Sequence, residues 1–188
     1  MAGVIASITA AVGLANLRLT RKNLEQQREL EALRAQGTAL QAYYEQIGKL
    51  LTDKDLRNTK LEEIRELARA QTLTVLREVD SNGKGSLIIF LHGAGLIRAE
   101  NPTVSLSGAD LQRVNLEGAE LQGANLRDAN LPGANLSGAK LQQANLQNAF
   151  LGDAYLQNAN LQGANLRGAY LRDAYLSGAT MPDGSTHD

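Results

Sequence analysis

Few residues in this chain have side chains suited to catalysis. The 188 residues include no cysteine and only two histidines, His92 and His187. Without cysteine the chain forms no disulfide and has no thiolate nucleophile or metal ligand. The two histidines stand too far apart in sequence for a metal-binding spacing. We expect His92 to pack within an apolar segment or to lie on the surface, and His187 to lie in a terminal tail.

Other sequence patterns of enzymes are missing as well. The chain has no serine, histidine and aspartate set, no cysteine and histidine pair, and no glycine-rich phosphate-binding loop. Its net charge is −1 and no block of basic residues stands out, so nucleic acid is not an expected partner. We therefore predict that the protein is not an enzyme and has no catalytic, cofactor-binding or metal-binding residues.

The dominant feature is a five-residue repeat that runs from Val104 to Asp183. Leucine stands at position 106 and at every fifth position up to 176, and Met181 takes the sixteenth place. Two residues before each of these stands a small residue, usually alanine. A fixed period of this kind indicates a solenoid. We predict that the repeated leucines form its core: Leu111, Leu116, Leu121, Leu126, Leu131, Leu136, Leu141, Leu146, Leu151, Leu156, Leu161, Leu166, Leu171 and Leu176.

A period of five fits neither a helix, which repeats every ~3.6 residues, nor a strand, which alternates. It fits a short extended piece followed by a turn. Alanine and leucine, two positions apart, then point into a common interior. The position two residues after each leucine is mostly Gly, Asp or Asn, which tolerate the left-handed conformations that turns require. The repeat therefore predicts a corner every five residues.

Units such as Ala124-Asn125-Leu126-Arg127-Asp128 resemble the pentapeptide-repeat family, whose units read A-(D/N)-L-x-x. The match extends over residues 104–183 in sixteen consecutive units. The resemblance implies a right-handed quadrilateral β-helix of about four coils, with twenty residues in each coil. The predicted fold class is therefore mixed, with an α-helical N-terminal segment followed by this β-helix.

The N-terminal part divides into three segments. Residues 1–19 are predicted to form an apolar helix that either anchors the chain in a membrane or packs against a protein, because Met1 to Leu17 carry no charge. Basic residues follow, which would place the repeat domain in the cytoplasm beside the membrane. The alternative is a purely cytoplasmic protein. Residues 20–85 are predicted to be α-helical, 86–103 to cap the solenoid, 104–183 to form the β-helix and 184–188 to form a tail.

The helical region shows several elements. Residues 18–36 and 60–80 have helical patterns, with an interruption expected at Gly37 and Thr38. Heptad-like spacing of Leu33, Leu40 and Ile47 fits either a helical hairpin or an oligomerising coil. Residues 81–85 are predicted to form a turn, after which a short helix capped by a serine at 86 extends to residue 91 and ends at a glycine at 93.

The segment from Thr72 to Ile97 is similar to the segment that precedes the repeats in a subgroup of bacterial pentapeptide proteins, notably cyanobacterial and actinobacterial ones. Members of that subgroup often carry an N-terminal membrane helix. This resemblance is diffuse beside that of the repeats, and it implies the same anchoring helix.

Aromatic residues of the repeat fall into two neighbouring columns when residues twenty apart are aligned. Phe150 lies below Tyr170, and Tyr155 lies below Tyr175. Two interpretations stay open: the rings stabilise each other across the ladder, or they form a contact site. No helix follows the last coil, so we expect an uncapped end that docks against a second copy or another protein.

The sequence therefore favours a non-catalytic scaffold or protein–protein interaction module, tethered to a membrane by its N-terminal helix. Its protein partner is not identified, and homo-oligomers through the C-terminal coil or the N-terminal helices are open. The alternative is a DNA-mimicking binder of a type II topoisomerase, an activity known in the family. Seven acidic and five basic residues in 104–183 give that alternative little support, since duplex DNA carries one charge per ~1.7 Å.

Overall fold

The computed structural model describes residues 2–53, 56, 62–98 and 102–188, with side chains from residue 16 onward. The helices are α1 (Ala2–Asp53), α2 (Glu62–Glu78) and α3 (Ser81–Gly93). The chain forms two compact units, Met1–Thr38 and Ala39–Asp188, and the boundary between them falls within α1. Each unit is described by itself below.

The first unit consists of the N-terminal part of α1. Five of its leucines expose about half of their surface or more: Leu17, Leu19, Leu24, Leu30 and Leu33. The predicted interruption at Gly37 and Thr38 is wrong, since α1 continues through both residues. The Thr38 hydroxyl donates to the Arg34 carbonyl one turn earlier. A single helical glycine costs only about 1 kcal/mol relative to alanine, which the rest of a long helix tolerates.

The side chains of the predicted membrane anchor, Met1 to Leu17, lie mostly outside the described part of the structure. Its backbone is helical from Ala2, whereas Met1 and the side chains through Ala15 are not described. Among the residues that were described, no helix has both the length and the apolar character that crossing a membrane requires.

In the second unit, the end of α1 packs into the core. Tyr43 and Ile47 are buried, and the Tyr43 hydroxyl lies 2.7 Å from Oγ1 of Thr72 on α2. Burial raises the pKa of Tyr43 well above its ordinary value. Tyr44 contacts the ring of Phe90 on α3, with 4.8 Å between the ring centroids. Residues from all three helices thus share one apolar cluster.

Helix α3 begins five residues before the predicted start at residue 86. Asp80 is its N-cap, and the Asp80 carboxylate accepts a hydrogen bond from the Gly83 amide. The residues that were predicted to form a turn, 81–85, are therefore its first helical residues. The two glycines of this segment indicate a turn in isolation. The cap at Asp80 and packing against the solenoid override that local preference.

Helix α3 closes the N-terminal end of the solenoid. Leu87, Ile88 and Leu91 are fully buried against it. The Asn115 amide of the first coil donates to the Ser81 carbonyl at 3.0 Å. These contacts include residues 81–85, so the structural cap starts earlier than the predicted boundary at 86.

The repeat forms a four-sided coil of short extended pieces. In the described part of the chain it contains isolated parallel bridges between residues twenty apart, and no longer strands. Each coil has four sides, and the coils stack so that equivalent sides align. We number the sides by their residues: side 1 is 104–108, 124–128, 144–148 and 164–168; side 2 is 109–113, 129–133, 149–153 and 169–173; side 3 is 114–118, 134–138, 154–158 and 174–178; side 4 is 119–123, 139–143, 159–163 and 179–183.

The repeated alanines and leucines fill the interior. The leucines from Leu111 to Leu161 are buried, whereas the last three, Leu166, Leu171 and Leu176, are half-buried. The corners from residue 108 to residue 178 each end in a residue of positive φ, including non-glycine residues such as Arg113 and Gln143. Asn125, Asn145 and Asn165 accept hydrogen bonds from amides within their own turns. The burial of the leucines shows that the apolar interior is shielded from solvent in the coils before the last one. In the last coil the interior is partly exposed to solvent.

Candidate interaction surface

Four exposed aromatic side chains form a patch, here called the aromatic patch, on sides 2 and 3. Phe150 stacks on Tyr170 with 4.6 Å between ring centroids and an interplanar angle of 5°. Tyr155 stacks on Tyr175 at 4.9 Å and 7°. Each of the four exposes between 41% and 50% of its surface. The rings of each stack therefore stabilise each other and still leave about half of each ring accessible.

The stack on side 2 covers a glycine. Gly152 is buried, and a methyl group added to it would lie 3.4 Å from the Tyr170 ring and 3.5 Å from the Phe150 ring. The small residue thus lets these two rings lie close to the backbone. On side 3, Tyr155 borders a shallow groove with Arg113, Pro132 and Asp153 (Gln112 and Gly133 complete its lining).

The last coil, residues 164–183, is covered on one side by the C-terminal tail. Thr186 pairs with Thr180 in an antiparallel bridge. The Met181 amide donates to Ser185, the Gly178 amide donates to His187, and the His187 amide donates to Ala179. The prediction that this end is uncapped is therefore wrong for side 4. Sequence patterns missed the pairing because Pro182 and Gly184 indicate a turn without indicating a strand after it.

The other three sides of the last coil have no such cover, apart from the Gly178 amide at the end of side 3, which bonds to His187. In the coil below, the leucine amides of sides 1 to 3 donate to the next coil, as Leu151 does to Tyr170 at 2.8 Å. Within the described residues, the equivalent groups of the last coil have no hydrogen-bond partner. We call these groups the open edge; they are the amides of Leu166, Gly168, Leu171, Asp173 and Leu176 and the carbonyls of Ala164, Ala169 and Ala174.

Charged side chains on the repeat mostly neutralise each other. Four of its seven acidic residues lie within 4 Å of a basic group, and the four ion pairs are Lys84 with Asp110, Arg127 with Asp128, Lys140 with Glu120, and Arg172 with Asp173. The hydrogen bond from Lys140 lowers the pKa of Glu120. Among the described residues, more than half of the acidic side chains of the repeat thus lie beside a compensating positive charge.

At the opposite end of the solenoid, polar side chains attach the helices. Arg65 and Arg69 of α2 donate to the Pro102 and Ser107 carbonyls. His92 of α3 is buried, and its Nε2 lies 2.8 Å from the Gln122 carbonyl. Burial lowers the pKa of His92. The sequence left His92 open between packing and surface, and the structure places it as a packed residue.

No group of His, Cys, Asp or Glu side chains is arranged to hold a metal ion within the described ranges. The surface features described above can take part in aromatic stacking, in backbone hydrogen bonding at the open edge and in apolar contact with the half-buried leucines. The sequence indicated the aromatic patch through its twenty-residue alignment. It did not indicate which sides of the last coil carry unpaired backbone groups.

Comparisons with known proteins place the repeat sequence in a family. A family model described as "Pentapeptide repeats" matches in eight copies, over residues 109–148, 134–173 and 151–183. Among solved structures, Rfr23, a pentapeptide repeat protein from the cyanobacterium Cyanothece 51142, is 35% identical over 47% of this chain and 71% of its own. The chain is a pentapeptide-repeat protein.

Two further solved structures share the repeat. HetL from the cyanobacterium Nostoc sp. strain PCC 7120, a pentapeptide repeat protein involved in heterocyst differentiation regulation, is 44% identical over 49% of this chain. QnrB1, a plasmid-mediated fluoroquinolone resistance protein, is 20% identical over 39% of this chain. This pentapeptide-repeat protein spans 46% of the length of HetL and 49% of that of QnrB1. No curated protein matches the chain.

The TM-scores are 0.31 with Rfr23, 0.30 with HetL and 0.33 with QnrB1. Scores this low carry no argument, and the family assignment rests on the repeat sequence. Pentapeptide-repeat proteins fold as right-handed quadrilateral β-helices, which agrees with the four-sided coil and its bridges at twenty-residue intervals. The family is in general one of structural or interaction modules without enzymatic activity.

Proposed function

We propose that this pentapeptide-repeat protein is a non-catalytic scaffold that binds another protein through the C-terminal half of its solenoid. The observation that supports the proposal is the aromatic patch. Exposed aromatic side chains are enriched at protein interfaces, and rigid rings lose little conformational entropy when they bind. The solenoid keeps the four rings at fixed spacing, because the two rings of each stack stand on adjacent rungs of the backbone ladder.

The position of the patch adds to this argument. It lies on the last two coils, next to half-buried Leu171 and Leu176 and to the open edge. Apolar side chains, aromatic rings and unpaired backbone groups therefore occur together in one region. A protein partner can use all three, whereas a small polar metabolite can use only some of them.

The test compares capture of partners by the intact protein and by a variant that lacks the patch. Phe150, Tyr155, Tyr170 and Tyr175 are all changed to serine, and chemically crosslinked partners are quantified by mass spectrometry. The matched control changes Asn145 and Asn160 to serine, because these occupy the same outward position on sides 1 and 4. We expect the control to keep its partners and the patch variant to lose them. Identical partner sets for both variants would refute the proposal.

The DNA-mimicking alternative is not adopted. QnrB1 is a fluoroquinolone resistance protein, but its 20% identity with this chain shows no more than a shared fold and does not support DNA mimicry by this chain. A DNA mimic needs dense negative charge, and here most acidic side chains of the repeat are paired with a cation. A supercoiling assay with DNA gyrase is the direct check, and we expect no effect of the protein on the enzyme.

A further inference from the structure

The C-terminal tail shows how the end of this solenoid accepts another extended chain. On side 4 the Met181 amide and the Ala179 carbonyl, which point away from the coil below, bond to residues 185–187. Thr186 stands opposite Thr180, one rung further along the column in which Thr180 pairs with Asn160. The tail therefore occupies one side of a fifth layer, at the usual strand spacing of ~4.8 Å.

The remaining sides of that layer offer equivalent groups, except that the Gly178 amide at the end of side 3 already bonds to the His187 carbonyl of the tail. On side 3 the Leu176 amide and the Ala174 carbonyl stand where Met181 and Ala179 stand on side 4. Among described residues, none donates to or accepts from these two groups. Unpaired edge groups of this kind are a template for strand addition. An extended segment on side 3 would therefore repeat the bonding that the tail makes on side 4.

The tail runs toward side 3, so side 3 is the next part of the fifth layer that an extended segment would occupy. Ser185 bonds to Met181, and two residues later His187 bonds to Ala179 and Gly178. The tail thus runs from the end of side 4 toward its start, where side 4 meets side 3. A segment that enters the layer on side 3 can follow the same antiparallel direction without crossing the tail.

The aromatic column indicates which side chain the segment should carry. Tyr175 stacks on Tyr155 at 4.9 Å, which is close to one rung of the ladder. Tyr175 is the last ring of that column and is half exposed. On side 4 the register of the tail places Thr186 opposite Thr180. A segment that takes the same register on side 3 places one of its residues opposite Tyr175. An aromatic side chain at that position extends the stack by one ring.

A second copy of the chain fits this edge less well. Two copies that met end to end by a two-fold axis would each bring a tail that protrudes by one strand on side 4. The tails would hold sides 2 and 3 of the two copies apart by about that strand spacing. A single extended chain fills the gap, since it has the same thickness as the tail.

We propose that side 3 of the last coil binds an extended segment of a partner protein by antiparallel strand addition, with an aromatic residue of the segment stacked on Tyr175. This inference rests on the proposed interaction function and specifies its binding mode. Backbone hydrogen bonds to Leu176 and Ala174 provide the affinity, and the ring opposite Tyr175 provides the selectivity. This is the recognition mode in which a peptide adds a strand to an exposed edge.

The test uses a defined probe, the end-blocked peptide Thr-Ser-Thr-Trp-Thr-Ser-Thr. The protein contains no tryptophan, so the fluorescence anisotropy of the peptide reports binding directly. We expect binding to the full-length protein at concentrations below about 1 mM, and slowed hydrogen exchange of the Leu176 amide. The Leu166 amide on side 1 should exchange at the same rate with and without the peptide, and it serves as the internal control.

Three comparisons decide the mode of binding. The same peptide with alternate amides N-methylated should not bind, because the hydrogen-bonding edge is removed. Replacement of the peptide's tryptophan by serine, or Tyr175→Ser in the protein, should weaken binding roughly two- to tenfold. Tyr155→Ser is the matched control one rung lower, and it should weaken binding by less than Tyr175→Ser does.

Several results would overturn the inference. These are absence of binding at about 1 mM, equal binding of the N-methylated peptide, or equal loss with Tyr155→Ser and Tyr175→Ser. The last result would indicate docking on the flat face of the patch, so the proposed function would survive without strand addition. A dimer in light scattering whose Leu176 amide is protected before peptide is added would assign the edge to a second copy.

Discussion

At the scale of single residues, Gly85 decides whether the cap can approach the first coil. A methyl group at this position would overlap the backbone carbonyl oxygen of Asn115. The neighbouring amide of Asn115 is bonded to Ser81, so this backbone cannot move away without loss of a hydrogen bond. The glycine is therefore required by contact with the solenoid and not by the turn that it suggests in the sequence.

Gly85→Ala is expected to destabilise the protein by about 1–3 kcal/mol, which is the usual cost of overpacking. Gly93→Ala is the matched control in the same helix, because no atom lies within 4 Å of a methyl group placed there. It should change stability by less than about 1 kcal/mol. Urea unfolding of both variants measures the difference, and equal midpoints would show that α3 does not pack as described.

His92 predicts a dependence of stability on pH. Burial, aided by the charge of Arg98, lowers its pKa below the ordinary value of 6.5, against the opposing effects of the Gln122 hydrogen bond and Glu120. The unfolded chain then binds a proton more readily than the folded chain. The contribution of neutral His92 is therefore complete above about pH 6.5 and is lost as the pH falls below that value.

His92→Gln checks this effect. Glutamine keeps a donor for the Gln122 carbonyl but does not titrate, so the free energy of unfolding should fall less between about pH 7.5 and 5.5 than in the original protein. His187 is present in both proteins and cancels in the comparison. If both lose stability equally over this range, the pH dependence comes from groups other than His92.

At the scale of elements, the tail acts as a short strand that protects one side of the last coil. Removal of residues 184–188 takes away the partners of the Gly178 and Met181 amides. We expect these two amides to exchange faster with solvent, and the stability to fall by about 0.5–1.5 kcal/mol per hydrogen bond lost. The Thr180 amide, which bonds to Ala159, should be unchanged. Unchanged exchange of Gly178 and Met181 would show that the tail is not paired in solution.

The coils of the solenoid differ in how completely they bury the same residue. Leu136 in the second coil is fully buried, whereas Leu176 in the last coil is half-buried. Leu136→Ala should therefore cost about 2–5 kcal/mol, and Leu176→Ala distinctly less. Thermal or urea unfolding compares them, and equal losses would mean that the last coil is covered in solution.

At the scale of the whole molecule, among the residues whose side chains are described, every member of the apolar cluster belongs to the second unit. The cluster begins at Leu40 and extends to Met181. A fragment of residues 39–188 is therefore expected to unfold within a few degrees of the full chain, whereas 94–188, which lacks the α3 cap, should lose stability and aggregate. Differential scanning calorimetry provides the test. A much lower midpoint for 39–188 would show that residues 1–38 stabilise the rest.

The sequence by itself determined the repeat, its leucine core and the column alignment of the aromatic rings. It could do so because a solenoid converts spacing along the chain directly into position in space: a residue and its neighbour twenty positions later must lie on adjacent rungs. The corners and the stacking of Phe150 on Tyr170 both follow from that relation.

Only the tertiary structure decided the two ends of the solenoid, where the repeat stops and spacing no longer implies contact. The local sequence of residues 81–85 favours a turn. In the structure these residues are helical, because Asp80 caps the helix and Gly85 packs against Asn115. Residues 184–188 carry no pattern, yet they pair with the last coil, because Ser185 accepts from the Met181 amide and the His187 amide donates to the Ala179 carbonyl. At both ends, backbone groups left unpaired by the repeat selected the conformation of the chain beside them.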